Sequence, residues 1–178
     1  MKVRFTGPFR LGNAPVIYTE YPISRPTEPS KRGKFVFKIT IVHGGKDNAI
    51  AIGLGVKQDY KLGFDDTKKE KDVYVYKYHG RNGYIYSQTE TCKYFTEKII
   101  RSQTYGTGDV ITLRVNLGSR VATFLKNEKK VGEVFISKKA LNQPLLHPFV
   151  SLNTPNAVVN AEFWNEGKFK KVKKFLEN

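Results

Sequence analysis

The chain has 178 residues, enough to bury one substantial core and within the usual size of a single domain. With 39% hydrophobic residues, 12 Phe and 10 Tyr among them, it falls outside the disordered class despite a charged fraction of 26%. A formal net charge of +15 makes the surface attractive to acidic proteins, nucleic acid or anionic lipid, and charge by itself does not choose among them.

No stretch approaches the roughly 20 apolar residues that a membrane span needs, and the first residues, Met1 to Asn13, contain no continuous apolar core. No membrane partner is therefore expected. The single cysteine, Cys92, has no second thiol in this chain to pair with and no neighbour for a thiolate metal site. A cytoplasmic or nuclear setting follows as the expectation, with secretion still open if a signal peptide has been removed.

Residues 1 to 33 hold most of the prolines among short apolar pieces and read as a mixture of loop and strand packed along a sheet edge. The first clear strand begins at Lys34, where Phe35, Phe37, Ile39 and Ile41 alternate with Val36, Lys38 and Thr40. From Ala49 to Val56, Ile50, Ile52, Leu54 and Val56 share one face, while Ala51, Gly53 and Gly55 leave room on the other for something to pack closely. Further strands are predicted at Val73 to Tyr78, Gly83 to Ser87, Val110 to Leu117, Arg120 to Lys126, Lys130 to Phe135, Leu146 to Ser151 and Val158 to Trp164. Between them lie turn residues, as in His79-Gly80-Arg81-Asn82-Gly83 and Asn153-Thr154-Pro155-Asn156. Many short strands at this spacing predict an all-β sandwich or barrel.

In Gly106-Thr107-Gly108-Asp109 the glycines permit a tight connection and Asp109 is placed to cap its amides, which makes that aspartate structural. No catalytic residue is assigned. Glycoside hydrolysis needs two facing carboxylates, but Asp65-Asp66 sits in a charged loop and Glu162 stands alone. His43, His79 and His147 are scattered and belong to no metal-ligand or nucleophile motif, so neither metal nor cofactor is expected.

Several of these segments, in order, resemble the SPRY domain family. Lys31 to Ile41 is similar to its "RGKYYFEVTI" strand, Ile50 to Gly55 to "GIGL", and Tyr76 to Gly83 to "YGYHGDDG". Tyr105 to Ile111, followed by Phe124 to Asn127 and Val131-Gly132, resembles "FGxGDVIG…FTKNG…LG", and His147 to Leu152 with Val159 to Phe163 resembles "YPxVSL" and "VxANF". Within the family, the His-Gly turn and the Thr-Pro-Asn loop are most similar to the Ran-binding protein M subgroup.

The resemblance implies a two-layer antiparallel β-sandwich of the concanavalin-like jelly-roll type. It divides the chain into an N-terminal extension at 1–19, the SPRY domain at 20–164 and a basic tail at 165–178. Function is implied as well: a non-catalytic, monomeric module that binds another protein through loops at one end, as scaffold or adaptor, with a link to ubiquitin-ligase assemblies through the subgroup.

Carried onto this chain, the partner site comprises Pro22, Ile23 and Ser24, then Tyr86, then Asn153, Thr154, Pro155 and Asn156, with Lys57 and Tyr60 closing the rim; these segments are expected to converge. Two departures stand out. Glu20 precedes the first segment where relatives often carry a basic residue, so their peptide specificity does not transfer. Asn127-Glu128 replaces the family's Asn-Gly, which predicts a longer or strained hairpin.

Lysines gather at Lys68-Lys69 with Lys71, at Lys129-Lys130, at Lys138-Lys139 and in the tail, where Phe169, Val172, Phe175 and Leu176 recur at helical intervals. A solvated surface is the plainest reading of this charge. Attraction of an acidic protein segment comes next, and a nucleic-acid-binding accessory domain is the alternative function.

Overall fold

The computed structural model describes residues 2–4, 16–20, 22–23, 33–56, 73–91, 94–141 and 146–165. In chain order these form β1 (Lys2–Arg4), β2 (Val16–Tyr18), β3 (Lys34–His43), β4 (Ile50–Val56), β5 (Val73–His79), β6 (Tyr84–Thr91) and β7 (Tyr94–Arg101). There follow β8 (Val110–Asn116), β9 (Val121–Lys126), β10 (Lys129–Phe135), a single helical turn α1 (Lys138–Leu141), β11 (Leu146–Leu152) and β12 (Val158–Asn165). The strands make two six-stranded antiparallel sheets, ordered β1-β12-β3-β8-β9-β10 and β2-β11-β4-β5-β6-β7. This is the two-layer sandwich that the family resemblance implies, one of the two architectures that the strand pattern allows.

Alternation explains why the layers stack. Phe35, Phe37, Ile39 and Ile41 of β3, Ile111 and Leu113 of β8 and Phe124 of β9 point inward from the first sheet. Ile50, Ile52 and Leu54 of β4, Tyr76 and Tyr78 of β5 and Ile85 of β6 meet them from the second. Each such side chain contributes about 1.5–3 kcal/mol by leaving water. The core tyrosines keep their hydroxyls satisfied: the Ser137 amide donates to Tyr76 at 3.0 Å, and Tyr78 donates to the Gln103 carbonyl.

The small residues of β4 find their reason on the opposite face. A Cβ on Gly53 would lie 2.8 Å from Cζ of Phe149 and 2.3 Å from the Tyr76 carbonyl oxygen. The closely packed object is thus the Phe149 ring, from β11, the neighbouring strand.

Two features depart from the sequence reading. Strand β7 was not expected, because Tyr94 to Arg101 mixes charged and apolar residues without clean alternation; its pairing with β6, from Tyr84↔Arg101 to Thr91↔Tyr94, supplies the order that the pattern lacks. The β9–β10 hairpin is not longer than usual. Lys126 pairs directly with Lys129, so the loop has two residues, and both adopt left-handed backbone, Asn127 at φ 48° and Glu128 at φ 67°.

Asn127 tolerates that conformation and anchors it, its Oδ1 accepting from the Val110 amide at 2.8 Å. Glu128 has no such compensation beyond an exposed ion pair with Arg114 at 3.7 Å, a contact of little energetic weight. Replacing Glu128 with glycine is expected to raise the unfolding free energy by roughly 0.5–1 kcal/mol, since a left-handed residue with a Cβ costs about 1 kcal/mol or more. Urea unfolding of the two proteins measures it, and no gain in midpoint would contradict the strain reading.

Candidate functional site

The loops after β3, between β5 and β6, before β8, between β9 and β10, and between β11 and β12 all emerge at one end of the sandwich. Tyr105 joins them. Its ring packs edge-on against Tyr78 at 4.7 Å between centroids, and its hydroxyl donates to the Ile50 and Tyr78 carbonyls, each at 2.9 Å. Complete burial and the neighbouring Tyr78 push its pKa well up, so the hydroxyl keeps the proton that it shares between the two carbonyls.

Asp109 braces the next layer, accepting from the Gly106 amide at 3.0 Å and from Asn127 Nδ2 at 2.8 Å, with Lys126 Nζ at 3.3 Å. Desolvation pushes its carboxyl pKa up, but these hydrogen bonds and the Lys126 charge outweigh that and hold it below the ordinary value. Every contact it makes is structural.

On this frame sits the loop from Asn153 to Ala157. The Asn153 amide donates to the Ala49 carbonyl at 2.8 Å, and Asn156 turns the chain at φ 62°. Thr154 is only 2% exposed and packs on Gly45, where any Cβ would lie 2.3 Å from its methyl group. The expected contact residue Thr154 is therefore a packing residue, while Pro155 and Asn156 stand exposed. They line an open cleft of about 700 Å³ together with His43, Lys46, Asp47 and Asn153. His43 spans its floor: the Gly45 amide donates to Nδ1 at 3.1 Å, and the Asn156 carbonyl lies at the same distance.

Tyr86 lies at the same end, on the face of the second sheet turned away from the core. Ile85 between the two tyrosines is fully buried, which puts both Tyr84 and Tyr86 outward. Tyr86 is closely held. His79 meets its ring edge-on at 5.1 Å, Tyr84 at 6.1 Å, Lys77 Nζ lies 5.5 Å from the ring centre, and Asn82 Nδ2 donates to its hydroxyl at 3.1 Å. Arg101 similarly lies 5.8 Å from the centre of Tyr84.

Pro22 and Ile23 are elsewhere. The Ile23 amide donates to the carbonyl of Leu146, the first residue of β11, whereas Asn153 follows its last residue. Seven residues of extended strand separate them, roughly 20 Å. Ile23 is also a core residue, 6% exposed. The expected convergence of Pro22 with Tyr86 and Thr154 thus does not occur, because β2 runs antiparallel to β11 and carries the chain away from the Thr154 end. Ser24, Lys57, Tyr60 and the tail from residue 166 lie outside the described residues.

Sequence reading missed Lys77, Asn82 and Arg101 as neighbours of Tyr86. The motif Asn82-Gly83 was a legible turn, and counting across it pairs Lys77 with Tyr86; Arg101 needed the unrecognised β7. Among the described residues no group of three His, Cys, Asp or Glu is placed to hold a metal ion.

The SPRY domain family model matches residues 34–165. The chain belongs to the SPRY domain family. Zebrafish Ran-binding protein 9 is 31% identical over 138 residues, and the human protein of that name 32% over the same length. These matches cover 76% of this chain but 20% and 17% of the two relatives, so the chain spans about a fifth of the length of such proteins. Among solved structures, a human SPRY domain aligns over 90% of the chain with a TM-score of 0.58 at 21% identity. The SPRY domain of human HERC1 aligns over 74% with a TM-score of 0.51 at 18% identity. SPRY domains are protein-interaction modules, a non-enzymatic family, and the likeness to the Ran-binding protein M subgroup seen in the motifs agrees with these relatives.

His79 makes the site pH-sensitive in a defined direction. Burial first, and the Lys77 charge second, lower its pKa from 6.5 to about 4, and its Nε2 has no hydrogen-bond partner among the described residues. Below pH 6.5 the unfolded chain takes up this proton while the folded one resists it. Stability contributed here is therefore complete above pH 6.5 and falls as pH drops towards about 4, by up to roughly 3 kcal/mol. Titrating the imidazole by NMR, with urea unfolding of wild type and His79→Gln at pH 7 and about 4.5, checks both parts; an imidazole pKa near 6.5 would refute them.

Proposed function

We propose that this domain recognises a partner protein through the end of the sandwich that carries Tyr86, Pro155 and Asn156, without catalysing a reaction. The observation that carries this reading is the construction of that end. Exposed Pro155 and Asn156 stand on a loop fixed by buried Thr154, and Tyr86 is held by four neighbours. Preorganised loops and an oriented tyrosine lose little entropy on binding, which favours a peptide or surface loop as ligand.

Pro22 and Ile23 are left out of this site, and Thr154 enters it as support. Family likeness supports a scaffold or adaptor role, and the subgroup likeness extends this to a ubiquitin-ligase assembly. The relatives bear the name Ran-binding protein, and the part matched here is about a fifth of each. A cytoplasmic or nuclear setting fits a chain whose one cysteine has no partner within it.

Affinity capture from a native extract, comparing wild type with Tyr86→Ala and with a Pro155→Ala, Asn156→Gly double variant, tests the site. Glycine retains the left-handed backbone at 156, so that change removes a side chain without disturbing the loop. The same partner should be lost, or weakened about tenfold or more, in both variants. Undiminished capture by both, in proteins with unchanged circular dichroism, would reject this end of the sandwich.

A further inference from the structure

Four strands end the two sheets, β1 and β10 in the first, β2 and β7 in the second. Three of them are poor templates for a further strand. β1 and β2 have three residues each. β10 is interrupted by a bulge between Lys130 and Gly132, its Val131 carbonyl accepts from the Ser102 hydroxyl at 3.0 Å, and exposed Lys129, Lys130 and Glu133 lie along it. Short strands, bulges and edge charges are the devices by which sheets avoid pairing with other chains. β7 carries charge too, but its eight residues run against β6 in unbroken register, with neither proline nor bulge, and Ile99 on it is 49% exposed.

The backbone of β7 is set for pairing. The Ser102 amide donates to the carbonyl of Gly83, the residue before β6, at 2.9 Å. Groups that point to the neighbouring strand alternate with groups that point away in an antiparallel ladder. Ile100 and Lys98 therefore turn their amides and carbonyls to β6, while Arg101, Ile99 and Glu97 turn theirs to the open edge.

We propose that two copies of this chain pair antiparallel along β7, with Ile99 facing Ile99 at the two-fold axis. The family likeness implies a monomer; the β7 edge implies a dimer whose two second sheets become continuous.

The order of residues on β7 favours a second copy over an unrelated strand. With Ile99 on the axis, Arg101 of each copy stands directly opposite Glu97 of the other, so the pairing places opposite charges together twice and joins two exposed apolar side chains between them. Sliding one copy by two residues one way sets Lys98 against Lys98, and the other way sets Ile99 against Arg101; like charges directly opposite are destabilising. The favoured register is also one in which the outward amides and carbonyls of Glu97, Ile99 and Arg101 meet their own kind, closing about six hydrogen bonds.

A contact of this size belongs with the smaller specific interfaces, so a Kd of about 1–100 µM is expected. The net charge of +15 opposes association at low salt, an effect largely screened beyond roughly 8 Å at physiological ionic strength. Because Tyr86 is in register with Ile99, the dimer would align the two copies of Tyr86 across three strand spacings, roughly 15 Å. The dimer does not depend on Tyr86 being a contact residue, and its failure leaves the capture experiment on Tyr86, Pro155 and Asn156 untouched.

Sedimentation equilibrium of the full chain at about 0.15 M ionic strength tests the pairing. Wild type should pass from monomer to dimer as concentration rises, and the amides of Ile99 and Arg101 should exchange more slowly with it. Glu97→Arg alone and Arg101→Glu alone each set like charges opposite one another and should weaken the dimer about tenfold or more. Mixed in equal amounts, the two variants should form a heterodimer within about threefold of the wild-type Kd, since each then meets its opposite charge. That recovery also shows that both variants fold. A wild-type chain that stays monomeric up to about 500 µM would overturn the proposal. So would a dimer that the single changes leave intact, or one that mixing fails to restore while circular dichroism is unchanged, since either places the contact elsewhere.

Discussion

The hydroxyl of Tyr105 holds together the end of the sandwich that carries the candidate site. It reaches two carbonyls at once, those of Ile50 and Tyr78, which begin one strand and nearly end the next. The segment that carries Tyr105 is not itself a strand, yet the Tyr105 amide donates to Gly80 and the glycine has room for nothing more, since a Cβ there would lie 2.9 Å from the Tyr105 ring. The β5–β6 turn is thereby pinned, and with it Asn82, His79 and Tyr86. Loss of that one buried donor would remove a contact from two buried carbonyls, although the Ile50 carbonyl still accepts from the Gly80 amide at 2.9 Å.

Positive charge acquires a different meaning once the strands are laid side by side. As a sum, +15 only implies solubility and attraction to anions. As a pattern, it includes two cations held against tyrosine rings on one face, while Lys126 is occupied in holding Asp109 and the Thr104 carbonyl. Lysines that looked equivalent in composition are thus distinguished by what they touch, an aromatic ring for Lys77 and a carboxylate with a carbonyl for Lys126.

The fold was largely legible because its evidence is local and repeated. Phe35, Phe37, Ile39 and Ile41 state the face of β3 four times over, and the turn residues mark where each strand stops. Strand β7 escaped because Thr96, Glu97 and Lys98 interrupt any alternation on an edge whose pairing comes from β6 alone. The site was legible only in part. Tyr86 and the Asn153–Asn156 loop were identified through family likeness, and they do share an end. Pro22 was assigned to the same place because nothing in a sequence says which way a short strand such as β2 runs along its neighbour. Thr154 was misjudged for a related reason: its burial depends on Gly45, more than a hundred residues away.

Strands β1 and β2 are short and easily overlooked, yet they occupy equivalent positions, each flanking the outermost long strand of a different sheet, β12 and β11. Each covers three residues of the strand edge beside it, Val158 to Asn160 of β12 and Phe149 to Ser151 of β11. The region that matches the family begins only at residue 34. A protein trimmed to that match would present two bare strand edges side by side, with the amides and carbonyls of β11 and β12 open to solvent, and such edges readily recruit further strands. Any shortened form that lacks β1 and β2 should therefore be judged by its tendency to aggregate before its failure to bind is taken as evidence about the site.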